Sequence, residues 1–251
     1  MSDKFTTFTK LHVPGDPLIL FNVWDAGSAA AVERAGAKAV ATGSWSVAAA
    51  HGFADAESLP LDLALANAAR VVAAITLPVS IDFEGGYATD PVRTAAHVAA
   101  LAATGAIGCN LEDQVIGARP RALHPRADQA ARIRAIRQAV GPKFFLNART
   151  DIFLAAPADV HDAAMLDAAI ERAYAYADAG ANGFFVPGLI DLSLLEKICK
   201  RSPLPVNFMA FAGAPSAAQV AQTGIARISH GPGPYRLAMN AFEDAARAAL
   251  A

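Results

Sequence analysis

The stretch Pro78–Gln114, PVSIDFEGGYATDPVRTAAHVAALAATGAIGCNLEDQ, reads as strand, turn, helix, stop and strand again. Val79–Phe83 is a short run, mostly apolar, with little polar alternation, the pattern of a strand covered on both faces. Asp90 before Pro91 supplies an N-cap and a first-turn proline. Pro91–Ala103 then carries apolar residues at helical spacing, and Gly105 stops it ahead of the next strand, Ile107–Leu111. Both strands run out into acids, Asp82 and Glu84 on the first, Glu112 and Asp113 on the second.

The same unit recurs along the chain. Candidate strands are Leu18–Val23, Ala37–Ala41, Val79–Phe83, Ile107–Leu111, Phe144–Ala148, Gly183–Val186, Val206–Met209 and Ala226–Ser229. Helical patterns fall at Ala29–Ala35, Leu61–Ile75, Pro91–Ala103, Arg126–Val140, Leu166–Ala179, Leu192–Lys200, Ala217–Gln222 and Pro234–Leu250. Glycines 36, 105, 141, 180 and 224 each stand between a helix and the following strand. Strand–helix units in this number, with no linker, predict an α/β fold, a (β/α)8 TIM barrel with residues 1–251 as one domain. A doubly wound open sheet stays the alternative, because periodicity alone does not show closure.

Composition narrows the function. The 251 residues carry 21 Lys plus Arg against 23 Asp plus Glu, a net charge of −2, so no basic surplus marks a nucleic-acid or acidic-membrane partner. With 54% hydrophobic and 18% charged residues the chain is not a disordered one. Its two cysteines, Cys109 and Cys199, form no CxxC or zinc spacing, which fits a reducing compartment. Met1–Asp16 lacks the apolar core of a signal peptide, and no run has membrane-spanning length and character. The expected location is cytoplasmic.

In a barrel the residues just after each strand converge at one end, so position is the first filter for chemistry. It selects Trp24 and Asp25; Gly43, Ser44 and Trp45; Asp82 and Glu84; Glu112 and Asp113; Arg149 and Asp151; Asn207; and His230. Asp82 and Glu84, two apart in extended backbone, share a face, and the next strand lies only about 4.8 Å away. Hard oxygens without Cys or His nearby suit Mg²⁺, with Mn²⁺ possible, better than zinc. Any single acid there can instead cap a helix or pair with Arg93 or Arg149. Arg149, in FFLNARTD, offers a planar fork for a small substrate's carboxylate or phosphonate, or a buried ion pair with Glu112 or Asp151. Backbone N–H groups at Gly43 and Ser44 are candidate oxyanion donors or a plain turn, and Trp45 a pocket wall. The glycine-rich SHGPGPY, Ser229–Tyr235, is a weak phosphate-site signal, and His230 reads as a rim residue. His51, His97 and His161 read as surface residues on helices or their approaches.

These residues bring a family into view. The stretches NVWDAGSAAAVERAGAKAVATGSWSVAAAHGFAD, PVSIDFEGGY, GAIGCNLEDQ, LNARTD, AYADAGANGFFVPGL and PVNFMA, in this order and spacing, resemble the isocitrate lyase/phosphoenolpyruvate mutase family over nearly the whole chain. The resemblance implies a barrel whose last helix is exchanged between paired subunits, a homo-oligomer built as a dimer of dimers. It also implies Mg²⁺ at the acids and a small-molecule 2-oxo carboxylate bound to it. Asp82 matches the direct ligand, while Glu84 (where many members have Asp) and Glu112 match acids that hold the ion largely through water. Arg149 matches the substrate-carboxylate arginine, Gly43–Trp45 the backbone site for substrate oxygens, and Asp55, in HGFAD, an acid near the reacting centre. Asp55, Arg149 and Glu112 are the catalytic candidates; Trp24, Gly43, Ser44, Trp45, Asp82, Arg149 and Asn207 are the substrate-binding ones.

The departures lie in the loop after EDQ. Relatives that cleave isocitrate or methylisocitrate carry Lys-Cys-Gly-His there; this chain has VIGARPRALHP, Val115–Pro125, without Cys. The Asn that mutases use in this loop is absent too, and Arg119, Arg121 and His124 stand instead, as a basic lid or as solvated charge. The reading is a Mg²⁺-dependent lyase cleaving a C–C bond of an oxaloacetate-type 2-oxo acid through an enolpyruvate intermediate. A phosphonopyruvate-type mutase or hydrolase acting on a P–C bond comes second, and a non-catalytic binding or assembly barrel third.

Overall fold

The computed structural model describes residues 3–118 and 121–251, so Arg119 and Pro120 of the loop lie outside it. Eight strands form one parallel sheet: β1 (Leu18–Leu20), β2 (Val40–Ala41), β3 (Val79–Asp82), β4 (Gly108–Glu112), β5 (Phe145–Arg149), β6 (Gly183–Phe185), β7 (Val206–Met209) and β8 (Arg227–Ser229). Their order, β1-β8-β7-β6-β5-β4-β3-β2, is that of a cylinder opened between β1 and β2. A parallel bridge between Val23 and Thr42 spans that gap, with Val23 N–H donating to Ala41 O at 2.9 Å and Gly43 N–H to Val23 O at 3.2 Å. The ring therefore closes, and the open-sheet alternative is excluded.

Helices α1 (Lys4–Lys10), α2 (Ala26–Arg34), α3 (Ser44–Ala50), α4 (Leu61–Ala74), α5 (Pro91–Ala103), α6 (Arg126–Val140), α7 (Ala163–Asp178), α8 (Leu192–Arg201), α9 (Ala217–Gln222) and α10 (Gly233–Leu250) accompany the strands. Local chemistry sets their ends. Asp90, Asp162, Asp191 and Ser216 each accept a hydrogen bond from a first-turn amide. The five predicted glycine stops all have positive φ, between 70° and 103°, where a β-carbon is disfavoured. The main core lies between strands and helices and includes Val40, Ile81, Leu101, Ile136, Leu146, Phe184 and Ile228.

The differences from the sequence reading have local causes. The second helix starts at Ala26 rather than Ala29, because Asp25 and Ser28 cap it reciprocally. β1 ends at Leu20 and β2 starts only at Val40, so these two contribute less ladder than their apolar runs suggest. α1 and α3 are short helices the apolar periodicity did not reveal. α1 closes the end of the barrel where the strands begin: Phe8 is fully buried and meets Phe145 edge-on at 5.1 Å.

α10 leaves large apolar side chains in solvent along its length. Only Pro234 is buried, while Leu237 is 66%, Phe242 73% and Leu250 88% exposed. Among the described residues nothing covers its apolar face.

His12 sets a pH limit on the α1 plug. Its ring stacks on Phe145 at 4.5 Å, Nδ1 lies 2.8 Å from Phe8 O, and Nε2 is buried without a partner among the described residues. Burial, with Arg227 nearby, lowers its pKa from 6.5 to about 3. Below pH 6.5 the unfolded chain takes up a proton the folded one refuses, so this stability is complete above pH 6.5 and lost toward pH 3. His12→Phe should lose about 1–2 kcal/mol less than the parent on going from pH 7 to pH 5, read from urea midpoints. Equal losses in the two proteins would show His12 to be solvated.

Candidate active site

Strand register assembles the site. Asp82 lies beside Asn110 and Asn110 beside Asn147, on three adjacent strands, while Glu112 lies beside Arg149 and Arg149 beside Phe185. The barrel holds both oxygens of Asp82. One accepts from the Ser44 amide at 3.1 Å and its hydroxyl at 2.9 Å; the other accepts from Asn110 Nδ2 at 3.2 Å. Thr42 lies 2.9 Å from the Asp82 amide.

Arg149 stands among the acids. Its Nε and Nη2 reach the two oxygens of Asp151 at 2.5 and 2.9 Å, and Nη1 reaches Glu112 at 2.8 Å. Burial opposes its charge, but Glu112 and Asp151 outweigh that and raise its pKa well above the usual arginine value. Asp113 is not part of this set: fully buried, it is bonded to Arg172, the Tyr176 hydroxyl and the Asp151 amide, an anchor for the loop after β5.

Several carboxyls are pushed toward their neutral form. Burial first, then the charge of Asp82, raises Asp55, although solvent reaches this residue. Burial, opposed by the Glu57 amide and reinforced by Asp55 and Asp82, takes Glu84 to about 8. Glu112 is raised well above the carboxylate range by burial and by Asp151, Asp82 and Glu84, which together outweigh Arg149. Glu57, which the sequence reading did not single out, is raised by burial as well.

Glu57 ties two loops together. Its amide donates to Glu84 Oε2 at 2.6 Å, and its own Oε1 accepts from the Tyr87 amide at 2.7 Å. Ala56, Glu57, Glu84 and Tyr87 all have positive φ, between 50° and 68°, at these crossing points. Such a backbone costs on the order of 1–3 kcal/mol per residue and persists only where its surroundings enforce it. The segment 55–57 is thereby fixed beside the acids.

The cavity at this end has a volume of about 160 Å³, with Asp82, Asp55, Asn110, Arg149, Trp45 and Phe185 among its lining. Gly43 and Ser44 line it too, yet their amides are engaged, one with Val23 and one with Asp82. They are therefore not free oxyanion donors. Trp24 and Asn207 are not brought to the cavity. Trp24 meets Tyr235 edge-on at 5.1 Å on the outer side of β1, and Asn207 is buried lower in the barrel against Asn147 and Ser229. Gly231 and Pro232 reach the wall, but the amides of His230 and Gly231 both donate to Asn22, so the glycine-rich turn offers no phosphate nest. His230 itself lies against Leu20 O and Phe21. In the loop after β4 a Gln114–Leu123 bridge and a Val115–Ala122 hydrogen bond stitch the base, and Arg121 reaches Leu154 O at 3.2 Å. Asn22, Asn110 and Glu57 are the site residues missed; a lone amide or acid in a run carries no periodic signal.

The donors fit a hard dication. All are oxygens, and Asp55, Glu84 and Glu112 crowd Asp82 while Arg149 is paired with Glu112 and Asp151. Among the described residues no three carboxylate, imidazole or thiol groups converge closely enough to grip an ion by themselves.

Residues 8–250 match the family described as phosphoenolpyruvate phosphomutase. An uncharacterized protein of Mycobacterium tuberculosis is 36% identical over 96% of this chain and 88% of its own. The 2-methylisocitrate lyase of Escherichia coli K12 is 31% identical over 82% of this chain and 73% of its own. A crystal structure from Burkholderia cenocepacia J2315, provisionally named a phosphonomutase, superposes with a TM-score of 0.94 at 48% identity, covering 98% of each chain.

The acid cluster sets a second pH dependence. Glu84 is raised when folded, so its contribution is complete below pH 4.5 and lost as pH rises through about 8. In the absence of divalent ions, Glu84→Gln should be more stable than the parent at pH 8.5, by about 1 kcal/mol or more, and lose that advantage at pH 5. Urea unfolding at the two pH values reads the difference; an advantage that does not change with pH would place the Glu84 charge in solvent.

Proposed function

The chain belongs to the phosphoenolpyruvate phosphomutase family, together with the 2-methylisocitrate lyases, and on that premise we propose that it is a Mg²⁺-dependent enzyme cleaving a small 2-oxo carboxylate. The observation that carries this is the excess of buried carboxyls around Asp82, at the wall of a cavity that also presents Arg149. At about 160 Å³ the cavity is close in size to one that accommodates a single benzene ring, so the substrate has few carbons.

Asp82 would hold the ion directly, with Glu84 and Glu112 acting largely through water. When bound, Mg²⁺ supplies Lewis acidity at the substrate's oxo and carboxylate oxygens. The chain's residues do the rest. Arg149 engages three of its five N–H groups with Asp151 and Glu112, which leaves two for a substrate carboxylate. Trp45 and Phe185 form apolar walls of the cavity. Asp55, exposed at the wall with a raised pKa, suits a group that gives a proton to the departing fragment or takes one from it.

Cleavage of a C–C bond in an oxaloacetate-type acid is the first reading, and the E. coli relative supports that bond type. P–C chemistry on a phosphonopyruvate-type acid is the second; the matching family and the B. cenocepacia relative support it. Turnover of a panel of 2-oxo acids that includes phosphonopyruvate, with Mg²⁺ and with substrate loss and products followed by ¹H and ³¹P NMR, separates the two and separates both from a barrel that only binds. Calorimetry divides the roles further. Asp82→Ala should abolish Mg²⁺ binding, whereas Arg149→Lys should leave it intact and weaken oxalate by at least about tenfold, since lysine keeps the charge without the fork. Normal oxalate binding by Arg149→Lys would leave Arg149 only its ion pairs.

The exposed face of α10 is read as the exchanged element of a subunit pair, in a dimer-of-dimers assembly. Leu237 and Phe242 project from it, and an apolar groove of about 420 Å³ runs beside it between Phe21, Trp24 and Leu237. Leu237→Glu with Phe242→Glu should shift sedimentation to a smaller species. An unchanged species would remove α10 from the interface.

A further inference from the structure

Beneath Asp82 the barrel interior holds a layer of side-chain amides above the apolar cluster of Phe8 and Phe145. Asn110, Asn147 and Asn207, on β4, β5 and β7, are each at least 96% buried, and Arg227 on β8 is 99% buried beside them. Asn147 Nδ2 donates to Asn110 Oδ1 at 2.8 Å and to Asn207 Oδ1 at 3.1 Å. Arg227 Nη2 donates to the same Asn110 oxygen at 3.3 Å. The two donors fill both acceptor positions of Asn110 Oδ1. Turning the Asn110 amide over would set its N–H₂ against two donors in a dry interior, at the cost of unmade hydrogen bonds. Its Nδ2 therefore points to Asp82 Oδ1.

Arg227 gives this relay a charged end. Among the described residues it forms no ion pair; its contacts are Ser229 Oγ and Asn110, and Nη1 has no partner. The order guanidinium, amide, carboxylate aligns the Asn110 dipole with the Asp82 charge. With Ser44 holding the other oxygen, the carboxylate is fixed at both ends.

We infer that Asn110 is a positioning residue for Asp82, oriented by Asn147 and Arg227 so that the carboxylate meets the cation in one conformation. The inference rests on the reading of Asp82 as the cation holder. Partners of this kind are worth ten- to a hundredfold in metal affinity elsewhere.

A charge-neutral double-mutant cycle tests it, with Mg²⁺ affinity from calorimetry and thermal stability measured on the same preparations. Asn110→Ala should weaken Mg²⁺ by at least about tenfold. Asn147→Ala, one bond further from Asp82, should weaken it severalfold in the parent and not at all in the Asn110→Ala background, although it lowers the melting temperature in both. If Asn110→Ala does not fold, the Asn147→Ala single variant keeps its expected sign. Full Mg²⁺ affinity in Asn110→Ala or in Asn147→Ala, alongside its loss in Asp82→Ala, would overturn the relay and leave the cation reading standing, as would losses that simply add. Normal affinity in Asp82→Ala would overturn the cation reading itself.

Discussion

Asp82 has both oxygens held by the barrel, one by Ser44 and one by Asn110, and it is surrounded by further acids. Placing carboxylates together away from water is the constraint on which this end of the molecule depends. Two like charges 4 Å apart near a protein surface repel by about 4 kcal/mol, so the group cannot all ionise without compensation. Three responses appear. Burial raises Asp55, Glu57, Glu84 and Glu112 toward their neutral forms. Arg149 is inserted between Glu112 and Asp151. One amide, Asn110, donates to Asp82 from below, with the Arg227 guanidinium behind it.

Backbone strain belongs to the same arrangement. The positive-φ residues Ala56, Glu57, Glu84 and Tyr87 fall in the two loops that carry Asp55 and Glu84. Each loop holds the other through a carboxylate–amide bond, Glu57 to Tyr87 and Glu84 to the Glu57 amide. Glu84 thus serves the charge cluster and the loop geometry at once, and Asp55 reaches the cavity wall because Glu57, two residues on, is anchored.

Strand positions and helix stops were legible because they follow from apolar periodicity and from glycine's access to positive φ. Asp82, Glu112 and Arg149 were legible because a barrel strand end is a definite place. What escaped was set by contacts distant in sequence. Asn110 reads as a polar interruption in GCNLE until β3 and β5 stand on either side of it. Trp24 occupies the right position after its strand, yet β1 is short and its ring turns outward to Tyr235. The Gly43 and Ser44 amides look free in sequence, but barrel closure takes one and Asp82 the other. α1 was hidden because its burial comes from the far side of the barrel floor, chiefly Phe145.

The unequal grip of Arg149 on its two acids follows from the same charge balance. Asp151 meets it with both oxygens, and the Asp151 backbone is itself anchored by Asp113. Glu112 meets it through one contact, and every other acid near Glu112 works against its charge. Of the two contacts, the one to Glu112 is therefore the weaker hold on Arg149. Glu112 is the acid whose surroundings already favour its neutral form, so releasing Arg149 costs it least. The guanidinium is thus held firmly by Asp151 and lightly by Glu112, the second contact following from the register that sets Glu112 beside Arg149.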